Sequence, residues 1–343
     1  MEEFVGLDVS LKLTHVCVLD GGGKRVWQGT CLSTPESIAE TIRARAPNAT
    51  RIGLETGPLS TWHWHALTEI GLPILCLDAR HVKAGLKLQA NKTDKNDAHG
   101  IAQIVRSGWY REVTVKSLDN HKVRALLGAR KKLVETKTDL INEARGVMKT
   151  FGIVLPKSGL SFEEKFETLS RGTEILHITL QALLGTLRTV TEHLGRLDKE
   201  VLAYAKQNDA CRQLTSIPGV GPITAVAFVS AIDDPARFRK SRTVGAYLGL
   251  TPKRYQSGET DNQGRITKWG DALVRAYLYE AANALLLRTK TWCALKVWGL
   301  KLARRGGMTK ARVAVARKLA VIMHRMLITG ETFRWSNAAE AAV

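Results

Sequence analysis

Four acidic residues in the N-terminal third have the types and the setting of a metal site. Asp8 and Glu55 each lie in a short apolar run that predicts a strand, where an acid is costly unless it is paired or binds a cation. Asp94 and Asp97 are three residues apart in helical sequence, so that both carboxylates face one side of a helix and repel each other. Taken singly, each acid also fits a solvated strand end or helix N-terminus. Taken together, they predict an all-oxygen site for two Mg²⁺ ions, with Mn²⁺ as a substitute.

A serine in a basic, glycine-rich stretch is the second candidate for chemistry. Ser257 lies near Lys253, Arg254, Arg265 and Lys268 in the sequence. Cations beside a hydroxyl can position a phosphate for attack and stabilise the charge that develops. No histidine lies within twenty residues of this serine, which argues against a Ser-His-Asp hydrolase. From the residues alone, a basic loop whose serine only touches nucleic-acid phosphate remains an open alternative.

A third pattern is typical of phosphate binding. Gly219 and Gly221 precede an apolar helix, as in the second half of a helix-hairpin-helix. Glycines there allow phosphate oxygens to approach backbone N–H groups at the helix N-terminus. An ordinary loop-to-helix turn is the alternative.

The elements that must position the acids read as α/β over residues 1–112. The sequence predicts strands at 4–9, 16–19, 25–27, 51–55 and 73–77. It predicts helices that begin near residues 33 and 59, and helical sequence from the last strand to about residue 106. The order βββαβαβα is that of the RNase H-like fold, although composition alone does not separate it from other α/β meanders. In that fold the first strand lies beside the fourth and a later helix packs across both, so the four acids would converge.

Residues 113–209 are predicted to form long coiled-coil helices. Apolar residues alternate at spacings of four and three along the second helix, which gives a coiled-coil seam. The members of this seam are Leu176, Leu180, Leu183, Leu187, Val190, Leu194, Leu197 and Val201. An intramolecular helical hairpin and a dimerisation arm both bury such a seam. Residues 210–335 form a basic, mostly helical domain, and residues 336–343 are expected to be a frayed tail.

Composition restricts the class of protein. The 343 residues carry a net charge of +19, and 44% of them are hydrophobic, which is ordinary for folded domains. Five scattered cysteines without Cys-x-x-Cys spacing indicate a reducing cytosol and argue against a disulfide framework or a cysteine zinc site. No apolar run is long enough for a membrane helix, and the N-terminus does not resemble a secretory signal. We therefore expect a cytoplasmic protein with a polyanionic partner.

The positive charge is concentrated near the C-terminus. Residues 210–343 contain 22 basic and 8 acidic side chains, a net charge of +14, whereas residues 1–112 have a net charge of +1. Basic residues of the stretch 285–328 are interleaved with Trp292 and Trp298, a combination that suits nucleic-acid backbones and unpaired bases. A solvated helix face with tryptophans in the core is the alternative.

The acidic motifs resemble a known family. Three stretches resemble, in order and spacing, the DEDD motif of insertion-sequence transposases related to the Piv DNA invertase, which are the bridge-RNA-guided recombinases. They are the strand around Asp8, the Leu-Glu-Thr-Gly strand around Glu55 and the Lys-Thr-Asp-x-x-Asp-Ala box at residues 92–98. The stretches 217–225 and 247–275 resemble the C-terminal domain of that family. The resemblance covers nearly the whole chain.

The resemblance implies an RNase H-like (RuvC-like) catalytic domain and a specific mechanism. Asp8, Glu55, Asp94 and Asp97 would bind the metal ions, and Ser257 would be the nucleophile that joins covalently to DNA. The implied partners are donor and target DNA, a structured bridge RNA and further copies of the chain, in the nucleoid of a bacterium or archaeon. Gln256 and Trp269 depart from the family's pattern, so local substrate contacts would differ.

Two other functions use the same residues. A RuvC-like structure-selective endonuclease would use the acids with water as the nucleophile, and it would still cleave DNA after Ser257→Ala. A non-catalytic nucleic-acid-binding protein would be indifferent to the loss of Asp94 except for the change in charge.

Overall fold

The computed structural model describes residues 1–87, 91–154, 164 and 174–335. The expected frayed tail at 336–343 lies outside the described residues. The chain divides into two compact units, Met1–Lys116 and Ser117–Val343. Among the described residues, no helix combines the length and the apolar character needed to cross a membrane.

The first unit is a mixed α/β domain built on a five-stranded sheet. Its strands are β1 (Glu3–Val9), β2 (Leu13–Asp20), β3 (Arg25–Leu32), β4 (Ala49–Glu55) and β5 (Ile74–Leu77). Its helices are α1 (Pro35–Arg45), α2 (Ser60–Glu69), α3 (Ala79–Leu86) and α4 (Asp94–Ser107). The strand order is β3-β2-β1-β4-β5, in which β1 pairs antiparallel with β2 and parallel with β4. The predicted meander, and the placement of the first strand beside the fourth, are both observed.

Helix α4 lies directly against the centre of this sheet. Gly6 of β1 makes this possible, because a Cβ at that position would collide with the backbone of Ala98 and Ala102. Ala98, Ala102 and Ile101 are fully buried where the helix crosses the strands. A residue with a side chain at position 6 would push the helix outward, so the small residues on both elements fix the distance between α4 and β1.

The second unit is largely helical. The α-helices of its described residues are α5 (Leu118–Thr150), α6 (Glu174–Gln207), α7 (Asp209–Leu214), α8 (Pro222–Ile232), α9 (Thr243–Tyr247), α10 (Ala272–Leu287), α11 (Ala294–Gly306) and α12 (Met308–Thr329). Helices α5 and α6 pack against each other along their lengths. From the predicted seam, Leu180, Leu187, Val190 and Val201 are buried, and Ala144 and Met148 of α5 lie in the same apolar cluster as Leu180 and Leu187.

Helices α5, α6, α7 and α10 pack against α8, which is apolar on all sides. Phe228 and its neighbours on α8 are buried in the same apolar cluster as residues of α10 and α12, among them Leu278 and Leu319. A helix that is apolar all round belongs in the centre of a core. The C-terminal unit therefore has a main core around α8 and a separate apolar cluster between α5 and α6. A two-stranded hairpin, β6 (Pro252–Ser257) and β7 (Thr260–Ile266), extends from this unit.

Candidate functional sites

The four acids of the first unit come from two neighbouring strands and one helix. Asp8 and Glu55 follow the paired residues Leu7 and Leu54 in the parallel β1–β4 ladder, so they stand side by side at the carboxyl ends of both strands. Adjacent strands are about 4.8 Å apart, which brings the two carboxylates within reach of one ion. Both side chains are half-buried.

Helix α4 supplies the other two carboxylates from its first turn. Thr93 caps this helix by accepting a hydrogen bond from the Asn96 N–H, so α4 begins at Asp94. Asp94 is exposed, whereas Asp97 is only 8% exposed and its Oδ1 has no hydrogen-bond partner among the described residues. A buried carboxylate oxygen without a partner is energetically costly.

The electrostatics show that the four acids lie close together. Burial raises the pKa of Asp8 above its ordinary value, and the charges of Asp94 and Asp97 raise it further. Burial likewise raises the pKa of Glu55, with additional contributions from Asp8 and Asp97. Lys92 lowers both pKa values but does not offset these effects. The site therefore holds more negative charge than the neighbouring cations compensate.

Beside these carboxylates lies an open groove of about 720 Å³. Residues 8–12 from the β1–β2 turn form one wall, and residues 54–60 from the end of β4 form the other. Lys12 is the one basic residue of that lining. Asp8 and Glu55 both face the groove, so a substrate bound there would lie against them.

The donor set fits hard divalent cations. Within the described part of the chain, no three His, Cys, Asp or Glu side chains already surround a point as metal ligands do. Carboxylates that repel one another do not converge on a point without a cation between them. The unpartnered Oδ1 of Asp97 and the raised pKa values of Asp8 and Glu55 are the features that a bound cation would relieve.

His15 is a neighbour of this site that sequence spacing does not indicate. It is the cross-strand partner of Asp8 in the antiparallel β1–β2 ladder, and its charge lowers the pKa of Asp8. Only the register of the two strands reveals this pairing, since the residues are seven apart and no motif links them.

Ser257 lies at the tip of the hairpin rather than in the irregular loop that its glycine-rich surroundings predict. It ends β6, pairs with Thr260 across the turn and is exposed. Gly258 adopts φ +55° in the turn, a conformation that glycine accepts without strain. All residues of β6 are exposed, so neither face of this strand is covered by the core.

The cations that surround Ser257 in sequence are placed differently from one another. Arg254 is held by Asp261 of β7 through two hydrogen bonds of 2.8 and 2.7 Å. Strand alternation puts it on the hairpin face opposite Ser257. Lys253 and Arg265 are exposed along the hairpin, and Lys268 is exposed at its base. The structure therefore brings these cations to one hairpin but does not gather them around the hydroxyl.

The base of the hairpin is fixed tightly to α10. Gly249 and Gly270 have positive φ angles, and a Cβ on either would collide with the backbone of the opposite segment. Arg275 of α10 donates from Nη1 to the carbonyl oxygens of Leu248, Trp269 and Gly270 at 3.1, 3.3 and 3.3 Å. Burial lowers the pKa of Arg275, in keeping with its withdrawal from water. We call these residues the hairpin clamp; the sequence pattern offers no sign of it.

The end of the clamp is also tied to the long helices. Asp271 caps α10 by accepting from the N–H groups of Leu273 and Val274. Its other oxygen forms a 2.6 Å ion pair with Arg124 of α5, and both side chains are largely buried. The hairpin and α5 are thus connected through one aspartate.

Gly219 and Gly221 have different environments. Gly219 has φ +84°, and a Cβ there would lie 2.5 Å from the Ala281 oxygen and 2.8 Å from the Leu285 nitrogen of α10. Its lack of a side chain is explained by helix packing. Gly221, the N-cap of α8, is exposed and has open space around its Cα. Of the two glycines, Gly221 is the one with room for a phosphate.

The two tryptophans of the basic stretch also differ. Trp298 packs partly buried against the main core, with Lys318 Nζ 4.6 Å from its ring centroid. Trp292 is 54% exposed and has Lys296 Nζ 4.8 Å from its ring centroid. Trp298 is therefore mainly a core residue, whereas Trp292 presents an aromatic surface to solvent.

Comparison with known proteins gives matches along most of the chain. Residues 5–153 match the family model of IS110-type DEDD transposases, and residues 211–298 match the model described as the transposase IS116/IS110/IS902 family. The transposase for insertion sequence element IS1111A of Coxiella burnetii is 31% identical, over 97% of this chain and 91% of its own length.

More distant relatives cover less of the chain. A probable family 20 transposase of Pseudomonas aeruginosa is 28% identical, over 80% of this chain and 83% of its own length. The pilin gene-inverting protein of Moraxella bovis is 27% identical, over 37% of this chain and 39% of its own length.

Proposed function

Because the chain belongs to the IS116/IS110/IS902 family of transposases, we propose that it moves an insertion sequence by metal-assisted cleavage and exchange of DNA strands through a covalent Ser257–DNA intermediate. The observation that carries this proposal is the placement of Asp8, Glu55, Asp94 and Asp97 at one edge of the sheet, with a buried carboxylate oxygen left without a partner. Membership of the family implies DNA as the substrate.

The first unit is proposed to be an RNase H-like domain. The strand order β3-β2-β1-β4-β5, with an antiparallel meander followed by parallel strands, supports this assignment. So does the position of the acids at the carboxyl ends of β1 and β4, where open α/β sheets bind their ligands.

The four carboxylates are proposed to hold two Mg²⁺ ions, with Mn²⁺ able to replace them. When bound, such a pair activates an attacking oxygen and stabilises a leaving oxygen. The position of the acids along the groove would place a phosphodiester across Asp8 and Glu55. The first turn of α4 then closes the site with Asp94 and Asp97.

Ser257 is proposed to supply the nucleophile. Its Oγ forms a bond to phosphorus while the bond from phosphorus to the leaving sugar oxygen breaks. The serine gives up its hydroxyl proton and the leaving oxygen gains one. Attack by a sugar hydroxyl of the second DNA strand reverses these changes and releases the serine, so each phosphodiester is conserved and no ATP is required.

The C-terminal unit is proposed to bind the nucleic acids. Its concentration of positive charge and the exposed Trp292 support contacts to the backbones and unpaired bases of donor DNA, target DNA and a structured bridge RNA. Phosphates along the hairpin would be contacted by Lys253, Arg254, Arg265 and Lys268. At the helix-hairpin-helix-like turn, a phosphate would be contacted by Gly221, with Gly219 behind it. We place this activity in the nucleoid of a bacterial or archaeal cytoplasm.

The long helices are proposed to assemble the active homo-oligomer as a coiled-coil arm. Ile175 and Ile178 of α6 are 82% and 62% exposed, although isoleucine favours burial. A second copy packed on this arm would cover them. Analytical ultracentrifugation should show a dimer or tetramer that Ile175→Glu with Ile178→Glu dissociates.

A trapped protein–DNA adduct is the test of the proposed chemistry. The protein is purified from cells that carry its element, any co-purified RNA is sequenced, and the complex is incubated with element DNA in Mg²⁺ or in EDTA before it is denatured. We expect an adduct that maps to Ser257 and that is lost in Ser257→Ala, in Asp94→Ala and in EDTA. Cleavage that persists in Ser257→Ala without an adduct would instead establish an endonuclease that uses water.

Mixing two inactive variants tests whether the acids and the serine act from one chain or from two. If they act from different copies, Ser257→Ala and Asp94→Ala should restore the adduct when mixed. A mixture that stays inactive, while each variant still oligomerises with wild-type chains, assigns the acids and the serine to the same copy.

A further inference from the structure

We propose that Tyr255 receives an unstacked base next to the scissile phosphate and thereby holds the DNA strand against Ser257. This inference rests on the proposed function, because it takes the phosphate from the role of the serine. It concerns a residue that is neither acidic nor basic and that has no part in the proposed bond changes.

Tyr255 and Ser257 lie on the same face of the hairpin. They are two residues apart on β6, which places their side chains on one side of the strand, about 6.8 Å apart along it. Their cross-strand partners are Asn262 and Thr260. The ring of Tyr255 therefore stands among small polar side chains beside the serine hydroxyl, at a spacing that matches the reach from a phosphate to a neighbouring base.

The ring has no function in the protein's own packing. Tyr255 is 69% exposed and makes no side-chain hydrogen bond or ring contact with the residues that the structure describes. Every residue of β6 is exposed, so no layer of core lies beneath this face. A large aromatic surface held in water on a hairpin stabilises nothing in the free protein.

The hairpin presents the ring from a fixed position. Arg275 holds the base of the hairpin through three carbonyl oxygens, and the Arg254–Asp261 pair joins β6 to β7 on the opposite face. A two-stranded hairpin alone is marginally stable, so these contacts give it its rigidity. An exposed ring on a hairpin held in this way is a stacking platform for an unpaired base, and any of the four bases can use it.

Strand exchange supplies the ligand that such a platform fits. Bases next to the break must leave their original partners before they pair with the new strand. A base that stacks on Tyr255 during this interval loses less stacking energy, and its own phosphate stays beside Ser257.

The test uses DNA duplexes that span the end of the element, each with a single unpaired 2-aminopurine that takes the place of a base released during strand exchange. They are bound to full-length Ser257→Ala so that no adduct forms. We expect one position near the site of the adduct to change its fluorescence in the complex. Tyr255→Ala in this background should abolish the change and weaken binding about 5- to 160-fold, the range expected when a base-stacking aromatic is truncated. Tyr255→Phe should preserve both properties.

The two aromatic variants separate stacking from hydroxyl chemistry. If Tyr255→Phe behaves like Tyr255→Ala, the hydroxyl and not the ring acts, and the proposal is wrong. It is equally wrong if no position gives a signal that depends on Tyr255. The failure of the proposed function is recognised separately, by the absence of a Ser257 adduct in wild-type protein, because the fluorescence is read without catalysis. Equal melting temperatures of the variants control for folding.

Discussion

At the scale of single residues, the carboxylates of the first unit repel one another in the metal-free protein. Asp97 is buried with an unpartnered oxygen, and both Asp8 and Glu55 have raised pKa values. Groups that bind a cation in the folded state often destabilise that state when the cation is absent. Measurements of folding stability therefore test the proposed metal site without an assay of DNA cleavage.

Asp97→Asn should stabilise the metal-free protein and weaken its response to metal. In EDTA the melting temperature should rise, because one of four repelling charges is gone. Wild-type protein should gain about 2.7 kcal/mol when Mg²⁺ reaches one hundred times its Kd, and the variant should gain much less. Glu40→Gln, an exposed acid on α1, is the control and should change neither value. If Asp97→Asn and Glu40→Gln gained equal stability from Mg²⁺, the result would contradict the proposed metal site.

The raised pKa of Asp8 predicts how this stability depends on pH. A carboxyl whose pKa is higher in the folded state than in the unfolded state destabilises the fold when it is ionised. That penalty is present at neutral pH and disappears as the pH falls through the raised pKa. In EDTA, Asp8→Asn should therefore be more stable than wild type at pH 7, with a smaller difference near pH 4. Urea unfolding at a series of pH values measures the difference, and a constant difference would count against the assignment.

At the scale of elements, helix packing accounts for one of the two glycines before α8. Gly219→Ala places a Cβ 2.5 Å from a carbonyl oxygen of α10 and requires φ +84°. It should destabilise the C-terminal unit by at least about 2 kcal/mol. Gly221→Ala, which meets open space at an ordinary φ of −89°, should change stability by less than about 1 kcal/mol. Chemical denaturation of both variants measures these changes in stability. Equal losses of stability would contradict the role of Gly219 in packing against α10.

The hairpin clamp predicts that Arg275 positions the serine without touching DNA. Arg275→Ala leaves three carbonyl oxygens without their donor, so amide hydrogen exchange over residues 252–266 should accelerate. The rate of adduct formation should fall more than DNA affinity does, because the hairpin remains present but is less well oriented. Arg288→Ala removes an exposed cation from the end of the same helix and should leave the hydrogen exchange of residues 252–266 unchanged. If amide hydrogen exchange over residues 252–266 were unchanged in Arg275→Ala, the result would contradict the proposal that the hairpin clamp orients the serine.

At the scale of the whole molecule, the charge distribution predicts the salt dependence of binding. The first third of the chain is nearly neutral, and residues 210–343 have a net charge of +14. DNA affinity should fall steeply with salt, and Arg304→Gln with Arg305→Gln should reduce the slope by about 2. Lys24→Gln with Arg43→Gln, which removes two exposed cations from the first unit, should leave it nearly unchanged. Titrations at four salt concentrations compare the slopes, and equal reductions would contradict a C-terminal binding surface.

The sequence by itself determined the elements of the first unit, the long helices and the presence of acids on β1, β4 and α4. Each depends on local rules: apolar runs for β1 and β4, heptad spacing for α6, and the Thr93 cap that begins α4 beside Asp94. It also determined where the positive charge lies, since charge is a property of composition.

Tertiary structure alone decided what surrounds those residues. The pairing of His15 with Asp8 depends on strand register, and the role of Gly219 depends on how closely α10 approaches. The base of the hairpin that carries Ser257 is held by Arg275, eighteen residues later. Contacts between residues distant in sequence leave no local pattern, since they are selected by the packing of whole elements and not by the preferences of neighbouring residues.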